Sequence, residues 1–363
     1  MLTVGLVGLP AVGKTTIFNL LTQTGAQTSD FMSGKFETNT GAAKVPDPRI
    51  DFLTQLCNPR RTVYAQIMCS DVPGLTSGTN QGKGGGNQFL DGIRNVDLLI
   101  QIVRTFDNPE LPHVYSNIDP LRDLETVDLE LLLADLDIVE KRIQRIEGGK
   151  KITKESAAEL PLLKKCRSAM ETGVTPAKAG LTGEERAMLM IPSFFTEKPQ
   201  IVVVNTDENQ FKEKSYPGKT ELEALADTRG TTVIEICGQL EMEIGMLDPA
   251  EQAMFLTDLD VGELGTARLS RAAYQQLNLI SFFTIGPDEV KAWTISRGTN
   301  ARQAAGKIHS DIERGFIRAE VTKYRDLFEL GSVNKVKEKG MSRLEGKEYI
   351  VEDGDIINFR FNV

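Results

Sequence analysis

Gly8-Leu9-Pro10-Ala11-Val12-Gly13-Lys14-Thr15-Thr16 constrains the fold of this chain more than any other stretch. It fits G-x-x-x-x-G-K-[ST], a phosphate-cradling loop that works only between a strand and a helix. Both neighbours are present. The apolar run Leu2 to Val7 reads as a strand, and Ile17-Phe18-Asn19-Leu20-Leu21 reads as the opening turns of a helix. The glycines let the backbone turn sharply, so that successive N–H groups point inward at phosphate oxygens at a helix N-terminus. The pattern assigns Gly8, Ala11, Val12, Gly13, Lys14, Thr15 and Thr16 to nucleotide binding. Lys14 is expected to reach the β- and γ-phosphates as the catalytic cation, and the Thr15 hydroxyl to ligate Mg2+.

Composition narrows the class. The 363 residues suggest two or three domains with ample length for a core. The formal net charge of −9 argues against a protein that simply coats nucleic acid, although local basic patches remain possible. Cys57, Cys69, Cys166 and Cys237 are far apart and form no C-x-x-C pair, so they read as reduced thiols. Cys69 and Cys237 lie in apolar runs and are expected in the core. With His113 and His309 as the two histidines, a multi-histidine metal site is excluded. No apolar stretch approaches membrane-spanning length, and a strand begins at the N-terminus without a charged leader. The expectation is a cytoplasmic protein with no membrane and no DNA partner.

Strand-like runs follow at Thr62 to Asp71, Asp97 to Val103, Ile201 to Asn205 and Thr231 to Ile236, with room for helices between them. Alternating strands and helices predict an α/β fold with a largely parallel sheet. A different segment interrupts it from about residue 120 to 198. There Leu129, Leu132, Leu136, Val139, Ile143 and Ile146 recur in steps of three and four, the spacing of a coiled coil. Gly148-Gly149 breaks the seam, and Leu160, Leu163 and Met170 mark a return helix. Thr182 and Glu185 suit a capping box for a third, short helix. The expected object is an antiparallel helical hairpin. Lys141 to Arg167 holds nine Lys/Arg against three Glu, which is either a solvated helical tip or a contact to RNA or an acidic partner.

From about Leu279 the pattern changes to short alternating runs, Lys291 to Ile295 and Tyr349 to Val351, with a final strand Ile356 to Phe361 and one helix near Ala301 to Ile308. This predicts a small mixed β-grasp module. Lys291 to Arg325 carries eight basic and three acidic residues, a second candidate surface for a polyanion.

Two further motifs refine the nucleotide site. Asp71-Val72-Pro73-Gly74 ends a strand and follows the P-loop, as in the D-x-x-G of GTPase-like switches. Asp71 is expected to hold Mg2+ and the Gly74 N–H to sense the γ-phosphate. Thr76 to Asn87, with five glycines, reads as a mobile switch loop. Ras-like GTPases place a water-orienting glutamine after D-x-x-G; here Leu75 stands there and cannot hydrogen-bond water, which implies slow intrinsic turnover. Asn205-Thr206-Asp207-Glu208 occupies the place of the guanine-specific N-K-x-D. Thr206 replaces the Lys and Glu208 the Asp, so the guanine clamp is broken and ATP is favoured, with Asn205, Thr206 and Glu208 as base-side residues.

Together the P-loop, D-x-P-G-L, N-x-x-E, the inserted hairpin and the C-terminal module resemble the Obg-like ATPases of the YchF type. Val45-Pro46-Asp47-Pro48-Arg49, Gly86 to Leu90, Ala134-Asp135-Leu136, Arg314 to Val321 and Asp353-Gly354-Asp355 extend the resemblance over nearly the whole chain. It implies an Obg-type G domain over residues 1–278 with a coiled-coil insertion at about 120–198, and a TGS domain over 279–363. It further implies Mg2+-dependent ATP hydrolysis and association with ribosomes; contact with the ribosome or its RNA is expected through the basic hairpin and the TGS domain. Departures are visible. The family loop usually reads G-L-P-N-V-G-K-S; here Ala11 replaces the Asn, which in some related NTPases helps to hold potassium, and Thr15 replaces the Ser while keeping its hydroxyl. Lys35 stands where the family's first switch carries a Thr, leaving Thr38 or Thr40 as substitutes only if the loop shifts. Ile236-Cys237-Gly238 replaces the usual S-A or A-A turn behind the base. The leading expectation is an ATP-driven switch; the alternatives are a nucleotide-binding adaptor with negligible turnover and a GTPase switch.

Overall fold

A computed structural model describes residues 2–23, 39–73, 85–149, 152–191 and 193–362. The chain divides into two units, Leu2–Gly41 with Cys69–Thr266, and Ala42–Met68 with Ala267–Val363. Among the described residues no helix is long and apolar enough to cross a membrane.

The first unit is built on a six-stranded sheet in the order β2-β4-β1-β5-β6-β7. Its strands are β1 (Thr3–Val7), β2 (Asn39–Lys44), β4 (Gln66–Asp71), β5 (Leu98–Arg104), β6 (Gln200–Asn205) and β7 (Thr232–Ile236); the breaks between the units fall within β2 and β4. β5 pairs in parallel with β1 and β6, and β6 with β7. Every residue of β5 is buried, the signature of a parallel strand covered on both faces. Register fixes where these strands end. Arg104 lies opposite Asn205, and Asn205 opposite Ile236, so the carboxyl ends of β5, β6 and β7 finish level, where α/β sheets place their ligands.

The helical insertion forms as an antiparallel pair. Helix α4 (Pro120–Glu147) starts on the Asp119 cap, whose carboxylate accepts from Arg122 N at 3.0 Å, with proline at the first helical position. Helix α5 (Lys154–Met170) returns along it, and the short helix Gly183–Ala187 carries the full Thr182–Glu185 capping box. Leu132, Val139, Ile143 and Ile146 pack with Leu163, Met170 and Phe194, and Leu136 and Leu160 border them. Leu129, expected in the seam, is 54% exposed. The first turns of α4 face the sheet instead, through Leu124, which joins Val103, Val202, Val204 and Leu222. A heptad count does not register that change of partner. At the hairpin's base the buried Asp135 accepts from Phe195 N (2.7 Å), Thr196 N (2.9 Å) and Thr196 Oγ1 (2.7 Å).

In the second unit β8 (Leu279–Ile285) and β12 (Asp355–Phe361) run parallel at the centre of the sheet β11-β10-β12-β8-β9-β3. The strands β9 (Glu289–Ser296), β10 (Phe316–Lys323) and β11 (Arg343–Glu345) complete a β-grasp, with Ala301, Ala304 and Ala305 of the helix Ala301–Ile308 in its core. The expected single strand Thr62 to Asp71 is two. β3 (Arg61–Val63) stops before Tyr64-Ala65 and joins β9 in parallel, while β4 enters the other sheet. Alternation of apolar residues does not reveal which sheet takes a strand. Helix α2 (Pro48–Cys57) belongs to the same unit, and its Arg49 pairs with Asp353 at 3.0 Å. Two of the motifs noted in the sequence, Val45 to Arg49 and Asp353 to Asp355, are thus one structural junction. Asp353 also accepts from Ser281 N at 3.0 Å.

Candidate functional site

The loop between β1 and helix α1 (Lys14–Thr22) depends on three left-handed residues: Gly8 (φ 151°), Ala11 (φ 62°) and Gly13 (φ 94°). At Gly8 a Cβ would sit 2.5 Å from the Ile102 carbonyl oxygen, and at Gly13 2.3 Å from Asn205 Nδ2. Glycine is required at both on space as well as dihedral angle. Ala11 adopts the same hand despite its Cβ.

Lys14 is buried at the helix start, and its Nζ donates to Leu9 O at 2.7 Å, so the side chain curls back over the loop. Burial pulls its ammonium down to about 8, against the attraction of Asp71. Thr15 Oγ1 donates to Asp71 Oδ2 at 2.9 Å. Burial pushes the Asp71 carboxyl up, opposed by that hydrogen bond and by Lys14. Thr15 and Asp71 therefore bring two hard oxygen donors together beside a cation at the N-terminus of a nine-residue helix. Val12 is buried, while Thr16 is partly exposed and borders Gly238, whose Cβ position lies 3.2 Å from Thr16 Cγ2.

On the base side, Asn205 is the organiser. Its Nδ2 donates to Val12 O at 3.0 Å and its Oδ1 accepts from Gly238 N at 3.2 Å, tying the P-loop to the turn after β7. Thr206 is 2% exposed, with its backbone N–H on Ile236 O and its hydroxyl without a partner among the described residues. The Lys position of a guanine motif is thus filled by a buried residue that presents no exposed stem to a base. Asp207 caps the helix Glu208–Glu213 and forms a capping box with Gln210. Glu208 is exposed and held by Lys212 at 2.6 Å. Gly74, Leu75, Lys35 and Thr38 lie outside the described residues, as do residues 76–84 of the expected switch loop. Its last part, Gly85 to Asn87, opens the helix α3 (Gly85–Arg94) and is regular structure. Cys69, Cys166 and Cys237 are buried, and burial raises the thiol of each, Cys69 to about 12.

Over residues 3–136 the chain matches the family of 50S ribosome-binding GTPases, and over 279–362 the YchF-GTPase C-terminal family, described as a protein of unknown function. It is 41% identical, over the full length of both chains, to the ribosome-binding ATPase YchF of Bacillus subtilis. The chain belongs to the YchF family. The ribosome-binding ATPase YchF of Haemophilus influenzae is 42% identical with 99% of each chain covered. The solved structure of the Schizosaccharomyces pombe YchF GTPase superposes with a TM-score of 0.84 at 32% identity, over 99% of this chain and 97% of that one. The YchF architecture, a P-loop nucleotide-binding domain followed by a β-grasp module, is therefore this chain's architecture.

One residue packed against the P-loop escaped sequence reasoning. Arg104, the last residue of β5, is completely buried against the P-loop, with Nη1 3.2 Å from Ala11 O. The available signal was slight: a lone charge closing the apolar run Leu98 to Val103.

Proposed function

We propose that this chain is a Mg2+-dependent, ATP-binding molecular switch that hydrolyses ATP slowly and acts on the ribosome in the cytoplasm. One observation carries the reading: the Thr15–Asp71 pair at 2.9 Å beside the buried Lys14, at the mouth of a loop whose backbone is shaped for phosphate. A hydroxyl and a carboxylate suit Mg2+, which is held by few protein oxygens and completes its shell with water and nucleotide phosphates. Thr15 and Asp71 are the residues that would hold it, and a metal ion bound there would supply neutralising charge to the transferring phosphoryl group. Lys14 supplies the second cation at the same phosphates. Among the described residues no side chain stands in the role of a general base, and Leu75 in the glutamine position supports slow turnover.

Glu208 in place of Asp supports ATP over GTP, since the guanine-specific carboxylate is displaced by one methylene and engages Lys212. The relatives at 41–42% identity are named ribosome-binding ATPases, which supports both the nucleotide and the partner. Residues 1–278, interrupted at about 120–198, act as the G domain, with residues 42–68 packed in the same unit as the TGS domain, residues 279–363. The basic stretches Lys141 to Arg167 and Lys291 to Arg325 are the surfaces proposed to meet ribosomal RNA. In the hairpin stretch some of that charge is already committed: Arg142 to the buried Glu159 at 2.7 Å and Lys164 to Glu147 at 2.7 Å.

Multiple-turnover ATP hydrolysis, followed with and without ribosomes, tests the proposal. Slow turnover that ribosomes accelerate is expected. Binding without turnover in both conditions would leave a nucleotide-dependent adaptor, the reading that Leu75 and Lys35 favour.

A further inference from the structure

Arg104 is 0% exposed, yet its hydrogen bonds go to neutral carbonyl oxygens: Nε to Phe106 O at 2.7 Å, and Nη1 to Leu111 O at 2.8 Å and Ala11 O at 3.2 Å. Its Cζ lies 4.8 Å from the centre of the Phe106 ring, and Nη2 has no partner among the described residues. A buried cation whose hydrogen bonds reach no carboxylate is costly to fold around. Burial pulls the guanidinium below its usual range, and Asp107 offsets this only in part. Packing alone gives no reason for an arginine here, because an aliphatic side chain would fill the volume without the desolvation cost.

The peptide geometry supplies one. In a trans peptide the carbonyl of residue 11 and the N–H of residue 12 point in opposite directions. Arg104 therefore holds the Ala11–Val12 peptide with its oxygen turned towards the guanidinium and its N–H turned away. The next peptide is fixed in the same manner by Asn205, which holds Val12 O and so orients Gly13 N–H. Ala11 needs such a tether more than a glycine would, because its left-handed φ of 62° costs about 1–2 kcal/mol for a residue with a Cβ.

We propose that Arg104 is a positioning residue of the phosphate-binding loop: it holds the Ala11 carbonyl away from the cradle, so that Val12 N–H faces the nucleotide phosphates. The proposal rests on the nucleotide-binding reading of the site. It assigns Arg104 a role in phosphate recognition that does not extend to the base.

That distinction is measurable with Arg104→Gln and Arg104→Lys in the full chain, each checked for folding by urea unfolding. Affinities are measured for Mg2+–ADP by calorimetry and for adenosine, which lacks phosphates, by NMR titration. R104Q is expected to weaken ADP about tenfold or more while adenosine stays within about twofold, with R104K between wild type and R104Q. Equal losses for ADP and adenosine, or no loss for either, would overturn the proposal, because a purely structural arginine has no reason to separate them. If R104Q does not fold, R104K decides by the same comparison, since lysine keeps the charge but cannot span the three carbonyl oxygens. Wild-type protein that binds neither ligand would instead refute the nucleotide-binding reading, and the role of Arg104 with it.

Discussion

Asn205 Nδ2 lies 3.0 Å from the carbonyl oxygen of Val12, a residue 193 positions earlier in the chain. The same amide accepts from Gly238 N through its oxygen, so one side chain joins the P-loop, the end of β6 and the turn after β7. Both partners are buried. Asn205→Ala strands a carbonyl and an N–H at once, and each unsatisfied group costs about 1–3 kcal/mol. The variant is expected to lower the urea midpoint clearly and to weaken Mg2+–ATP binding. An unchanged midpoint would mean that water replaces the amide without loss.

Lys14 is expected to make nucleotide binding pH-dependent. In the free protein burial holds its ammonium at about 8, and phosphates restore the charge on binding. Below pH 8 the lysine is already charged and affinity is flat; above it each binding event takes up a proton, and affinity falls by about tenfold per pH unit. Calorimetry of ATP binding at pH 8.5 to 9, in two buffers of different ionisation enthalpy, reads that uptake directly. Zero uptake would contradict the burial of the free ammonium.

Left-handed backbone at position 11 is carried by a residue with a Cβ. Ala11→Gly removes that strain but adds freedom to the unfolded chain, and the balance is expected to favour the variant by about 0.5 kcal/mol. Gly13→Ala is the control. There the Cβ would lie 2.3 Å from Asn205 Nδ2, so the substitution should abolish nucleotide binding. A thermal shift series over the two variants, with and without ATP, checks both signs.

Legibility in the sequence tracks what each feature demands of the backbone. The P-loop is readable because its dihedral angles require glycine at Gly8 and Gly13, and sequence shows glycine unambiguously. The capping box of Thr182 and Glu185 is readable for a similar reason, being local and reciprocal. Long-range placement is not. Leu129 obeys the heptad yet faces solvent, because the partner of α4 changes along its length. Thr206 sits in a base-recognition motif yet is buried. Arg104 acts through carbonyl oxygens of residues 11, 106 and 111, and backbone acceptors leave no residue-type signal.

Asp135 secures the hairpin's base, and its burial brings a pH dependence. Desolvation raises the carboxyl to about 6 despite three donors from Phe195 and Thr196. A raised acid binds protons more tightly in the folded than in the unfolded chain. Its contribution to stability is therefore largest near pH 4, declines as pH rises to about 6 and is constant above, with an upper bound of about 3 kcal/mol. The advantage of wild type over Asp135→Asn in urea unfolding should shrink across that window. An advantage that grows with pH would reverse the assignment.

The nucleotide itself is the central question. Calorimetric titration of the full chain with ATP and with GTP, each with Mg2+, addresses it most directly. ATP is expected to bind about tenfold tighter or more, because Glu208 and the buried Thr206 do not form a guanine clamp. GTP binding tighter by a similar factor would contradict that reading of Asn205 to Glu208 and return the chain to the GTPase switches.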